Sequence, residues 1–161
     1  MTGEAMAKRP EIIVDPGGVP PAALQAITEA VDAIARLAED QDGGEINRLR
    51  RRARDATLAA LATQGYFSPT VKLEAGTDIG GETWDISIVS GKRTTVTSVD
   101  LNFTGRITRP EFAPRVQKLR DDWLLKTGQP FINADWNKAK ANLLDEISSR
   151  DFMLARMTAS Q

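Results

Sequence analysis

The side chains available for chemistry in this sequence are carboxylates, lysines, arginines and hydroxyls, because it contains neither cysteine nor histidine. That removes thiol nucleophiles, disulfides, histidine-based triads and nearly every zinc site. Two adjacent carboxylate pairs remain, Asp121-Asp122 and Asp145-Glu146. Neighbours on a helix diverge by about 100°, so neither pair converges on one substrate bond, and both read as solvated charge. The loop Asp40-Gln41-Asp42-Gly43-Gly44-Glu45 offers oxygen ligands without the spacing of a calcium loop. Gly17-Gly18 precedes a helix but lacks the further glycines and the lysine of a phosphate cradle. The expectation is a protein with no catalytic residue, no metal site and no cofactor.

The densest charge feature is a run of arginines, Arg48, Arg50, Arg51, Arg52 and Arg54. It is a candidate electrostatic contact for nucleic acid, lipid headgroups or an acidic partner. The plainer reading is a solvated helix face answering the acidic stretch 39–45. No aromatic side chain interleaves the arginines, as stacking on bases would require. Overall, 22 acidic and 21 basic residues leave a net charge of −1, too little to recruit a polyanion. Nucleic acid is therefore not an expected partner, although an α+β module using the Arg48 to Arg54 helix stands as an alternative.

Several elements must position these groups. Glu11-Ile12-Ile13-Val14 is a β-branched run stopped by the turn cluster Asp15-Pro16-Gly17-Gly18. Leu24, Ile27, Val31, Ile34 and Leu37 then recur at helical spacing, and Ile46, Leu49, Ala53, Ala56, Ala60 and Leu61 form a second stripe. Gly65 suits the residue after that helix, where φ is positive. Val71 and Leu73 share one face of a strand over residues 70–73, and residues 75–81, with three glycines, predict a flexible connection rather than a two-residue turn. Trp84, Ile86 and Ile88 alternate with Thr83, Asp85 and Ser87, the period of a half-buried strand. Trp84 reads as core, and Tyr66-Phe67 as a core anchor with one of its two rings partly exposed.

The second half repeats the pattern. A strand is predicted over 96–103, with Val99, Leu101 and Phe103 on one face. Thr108 and Glu111 have capping-box spacing, with Pro110 in the first turn. Phe112, Val116, Leu119 and Trp123 make one helical stripe, and Trp136, Ala139, Leu143 and Ile147 another, with Asn133 as its cap and both tryptophans as packing residues. Residues 139–159 align with 53–73, setting Leu58 on Leu144, Leu61 on Ile147, Gly65 on Asp151, Tyr66 on Phe152 and Val71 on Met157. Asp151, tolerant of left-handed backbone, stands where a glycine is expected, and 152–159 is the following strand. A duplicated module without a catalytic inventory points to a scaffold.

The order β-α-α-β-β, with Gly65-Tyr66-Phe67-Ser68-Pro69-Thr70-Val71 and the stretch from Ser90-Gly91-Lys92-Arg93 to Thr104-Gly105, resembles the POTRA (polypeptide-transport-associated) domains of bacterial outer-membrane assembly proteins. Within them it is most similar to the TamA branch, through Leu58 to Val71 and the segment beginning Trp136-Asn137-Lys138. The resemblance implies an α+β fold with two helices on a three-stranded mixed sheet, repeated in tandem. The expected boundaries are a disordered segment 1–10, a first module 11–93 and a second module 94–161. The second module lacks its last strand, so the chain reads as a piece of a longer protein whose two remaining strands would be unbridged and prone to exchange between molecules.

The resemblance further implies a non-enzymatic periplasmic scaffold of an outer-membrane protein, acting in outer-membrane protein assembly or autotransporter secretion. Its partners would be extended outer-membrane clients, an inner-membrane or periplasmic subunit and its own downstream β-barrel. The implied site is the open edge formed by Thr70, Val71, Lys72, Leu73 and Glu74, with Phe67 beside it, acting by β-augmentation. A POTRA module of a two-partner-secretion transporter or of a division protein is the nearest alternative.

Overall fold

The computed structural model describes residues 8–161, and the chain divides into two compact units, one ending at Thr94 and one beginning at Thr95. Of the expected disordered segment 1–10, residues 1–7 lie outside the described residues. The remainder is held: Arg9 pairs with Asp32, and Pro10 is buried.

The first unit runs β1 (Glu11–Asp15), α1 (Pro21–Ala35), α2 (Gly43–Thr63), β2 (Thr70–Asp78) and β3 (Gly81–Val89). The last strand is central: β3 pairs in parallel with β1 and antiparallel with β2, giving a mixed sheet in the order β1-β3-β2. Trp84, Ile86 and Ile88 face the helices and are fully buried with Ile27, Val31, Leu49 and Leu61. The predicted stripes hold, with small shifts. Leu37 is exposed while Ala35 and Ala38 are buried, because the chain tightens into a 3-10 turn after α1 and rotates the next side chains. Thr57, absent from the predicted stripe, is also buried, its hydroxyl satisfied by the Ala53 carbonyl at 2.9 Å. Asp42 caps α2 by accepting from the Glu45 N–H at 2.9 Å.

The predicted flexible connection after β2 is overturned. The strand continues to Asp78, and only Ile79 and Gly80 form the turn. Gly76 is a strand residue rather than a turn residue, because a Cβ there would lie 2.4 Å from Thr83 Oγ1 and 2.8 Å from Asp85 Oδ2. The glycine makes room for two polar side chains of the neighbouring strand.

The second unit contains α3 (Ala113–Asp121) and α4 (Asn133–Ser148) around Ile107, Leu119, Trp123, Leu125, Ala139 and Leu143. Trp123 and Trp136 meet edge to face with centroids 6.1 Å apart, so both are packing residues as read. Neither strand predicted there is formed: 96–103 and 152–159 are outside any sheet, and the extended chain contributes a single bridge, Thr95 to Pro130. An alternating stretch becomes a strand only where another strand takes its backbone bonds, and among the described residues of this unit none lies beside either stretch.

Three local expectations also fail in this unit. Thr108 bonds the Gly105 carbonyl instead of a helix N–H, as the chain makes two 3-10 turns before α3. Asn133 begins α4 without capping it by its side chain. Asp151 does not adopt positive φ; among described non-glycine residues only Asp40 does.

Candidate functional site

The site residues of the first unit are placed by an elbow and a hairpin. Gly65, at φ 91°, ends α2 and reverses the chain, as a residue with a Cβ would do only under strain. Tyr66 turns into the core, while Phe67 is 56% exposed immediately before β2. Arg93 closes the elbow from the far side. Its Nε donates to the Gln64 carbonyl at 2.8 Å, and its guanidinium lies 5.2 Å from the Tyr66 ring centroid. The Thr94 N–H donates to the Gly65 carbonyl at 2.8 Å.

β2 is an edge strand, and its register decides which backbone groups it offers. Asp78 and Gly81 flank a two-residue turn, so they must form a pair that exchanges hydrogen bonds. Such pairs alternate along an antiparallel ladder. Gly76, Glu74, Lys72 and Thr70 therefore bond to β3, whereas Thr77, Ala75, Leu73 and Val71 turn both N–H and C=O to the outer edge. Of these outward groups, the Val71 carbonyl accepts from Arg54 Nε at 3.0 Å. The backbone groups of Leu73, Ala75 and Thr77 have no hydrogen-bond partner among the described residues.

Side chains give the edge two faces. Val71 is buried and Leu73 half-buried toward the helices, while Thr70, Lys72 and Glu74 are exposed on the opposite face. The sequence pointed to residues 70–74; the register extends the outward groups as far as Thr77. The signal was hidden because Gly76 imitates a turn.

The arginine run is divided by the structure. Arg48 pairs with Glu45 at 3.2 Å, the contact expected of a helix face answering the acidic loop. Arg50 is half-buried and pairs with Glu82 on β3. Arg54 reaches the β2 edge. Arg51 and Arg52 are exposed and make no ion pair among the described residues. No single basic face therefore gathers all five. Asp122 and Asp121 are likewise committed locally, to Lys118 at 2.6 Å and Gln117 at 2.9 Å.

One titratable group at the sheet margin is perturbed. The carboxyl of Glu11 is raised above its ordinary value of 4.5, first by a hydrogen bond to Asp78 and then by repulsion from that carboxylate. Among the described residues no group of three or more acidic side chains converges to hold a metal ion, and no helix is long and apolar enough to cross a membrane.

Comparison with known proteins follows the same division of the chain. Residues 16–89 match the family described as POTRA domain, TamA domain 1. Among solved structures, the chain is similar to the crystal structure of Haemophilus influenzae BamA POTRA3-5, with 16% identity and a TM-score of 0.40. That similarity covers 93% of this chain and 57% of the other, so the chain spans little more than half of that structure's length. No curated protein matches the sequence.

Proposed function

We propose, from the match of residues 16–89 to the family of POTRA domain, TamA domain 1, that this unit is a protein-docking scaffold whose β2 edge receives an extended segment of a client or partner. The observation that carries this reading is the row of outward N–H and C=O groups at Leu73, Ala75 and Thr77. Unpaired backbone at a sheet edge accepts another strand through main-chain bonds, which are indifferent to client sequence. A scaffold that serves many outer-membrane clients needs that indifference. The two faces of β2 add a preference for alternation. A strand laid beside it would set one row of side chains near Leu73 and the helices, and the other near Lys72 and Glu74. Strands of outer-membrane barrels alternate apolar and polar side chains in this way.

The scaffold would be non-enzymatic and periplasmic, attached to a downstream barrel in the outer membrane and working beside an inner-membrane or periplasmic subunit in outer-membrane protein assembly or autotransporter secretion. Phe67 would lend an apolar contact at the start of the edge, and Arg51 and Arg52 an electrostatic contact away from it.

Proline substitution tests the edge directly. Proline at Ala75 removes an outward N–H and leaves the bonds to β3 in place, since those come from the even-numbered residues. Ala75 is exposed, so its replacement does not disturb the core, as one at buried Val71 would. Ala75→Pro should weaken binding of an extended outer-membrane client peptide about tenfold or more, with the circular dichroism spectrum unchanged. Unaltered affinity would reject strand addition at β2.

A further inference from the structure

Among the described residues, Arg54 is the one side chain that hydrogen-bonds the outer edge of β2. It projects from the middle of α2 and is half-exposed. Its Nε donates to the Val71 carbonyl at 3.0 Å, and by the alternation of the ladder that carbonyl points away from β3. Asp55 lies 4.0 Å from the guanidinium, at the limit of an ion pair, and does not hold it elsewhere. A strand added along β2 would need the same acceptor that Arg54 occupies. The next outward residues, Leu73, Ala75 and Thr77, carry no such obstruction.

We propose that Arg54 is a specificity-determining residue that fixes the register and length of strand addition, ending the docked segment at Leu73. This rests on the edge-strand reading above. A segment approaching from the turn end pairs with Thr77, Ala75 and Leu73 and then meets a donor already in place. Continuing would require Arg54 to give up its bond, and an incoming N–H would return only one like it. Extension thus gains little while ordering further residues of the segment, which costs conformational entropy. The partner class that fits is a short extended stretch of about five residues, alternating in side-chain character, rather than a long hairpin strand.

Amide hydrogen exchange read by nuclear magnetic resonance on the full chain tests this, with a synthetic nine-residue peptide alternating Val and Thr, long enough to cover all of β2 and without charge. In the native protein, the peptide should slow exchange at Leu73, Ala75 and Thr77 and leave the Val71 amide at its peptide-free rate. In Arg54→Met, which keeps the aliphatic stem and loses the donor, protection should spread to Val71. Affinity should then rise about three- to tenfold, the equivalent of one net hydrogen bond. Should Arg54→Met lose the native pattern at the β3-bonded amides of Lys72 and Glu74, Arg54→Lys reads the same boundary with the charge retained. Protection at Val71 in the native protein, or an unmoved boundary in the variant, overturns the proposal. Peptide that slows none of the four amides in any variant overturns strand addition itself, and this proposal with it.

Discussion

Single atoms decide two positions in the first unit. Gly17 sits at φ 54°, and a Cβ there would lie 1.9 Å from the Ile88 carbonyl oxygen, a backbone atom that cannot yield. Gly17→Ala should therefore destabilise the unit by about 2 kcal/mol or more, through strain and a displaced β3, measured by urea denaturation. Trp84 is wholly buried beneath both helices, and Trp84→Ala should cost about 3–5 kcal/mol by the cavity it leaves. The two residues differ in how they could be read beforehand. Trp84 stands in an alternating run, so its burial follows from period alone. Gly17 is seen as a turn glycine, and that is half of the matter; the close approach of Ile88 comes from a strand far along the chain. Gly76 goes further, since its neighbours Thr83 and Asp85 belong to another strand and no local pattern distinguishes its role from that of Gly80. Arg54 is likewise one of five arginines between residues 48 and 54 and acquires a distinct task only from where α2 lays it.

Elements differ in what supports them. The helices of both units are written in apolar spacing, with two departures: a last-turn rotation after α1, and α3 confined to Ala113–Asp121, which leaves Phe112 and Trp123 outside it. Strands depend on partners, and partners are remote. β2 and β3 pair over nine residues each, but the alternating stretches of the second unit have the same local character and make no ladder. Pattern there expressed a capacity for pairing that the available neighbours do not meet. Between the two sheet edges, the carboxyl of Glu11 on β1 is raised by its hydrogen bond to Asp78 on β2, which gives stability a pH dependence. With its carboxyl raised from 4.5, the folded state keeps a proton that the unfolded chain has released. Stability is then greatest below that ordinary value and falls as pH rises through the raised one. Glu11→Gln retains a donor toward Asp78 without titrating, so melting temperature followed upward from pH 4.5 should decline less in the variant than in the native chain.

At the scale of the molecule, the chain divides into two compact units, and among the described residues only the first contains a sheet. That asymmetry predicts unequal resistance. Limited proteolysis should cut first within 96–104 or 153–161, where backbone groups lack a ladder and Leu154 and Met153 are exposed, before any cut in the first unit. Unpaired stretches of this kind also favour exchange between copies, so light scattering should show association that grows with protein concentration. The α+β class was legible in the sequence because apolar period and turn residues carry it. That 96–103 and 152–159 form no strand was not, because a strand depends on a partner rather than on a pattern.

The tie at the end of the first unit has a mechanical side. The chain leaves β3 at Val89, and within five residues Arg93 and Thr94 are bonded to the carbonyls of Gln64 and Gly65, at the carboxyl end of α2. Traction on anything attached beyond Thr94 is therefore delivered to a helix terminus and an aromatic ring, not to the last rung of the sheet. Single-molecule pulling should read α2 yielding at its elbow while β2 and β3 stay in register. The unit is so wired that tension falls on the elbow and spares the β2 edge.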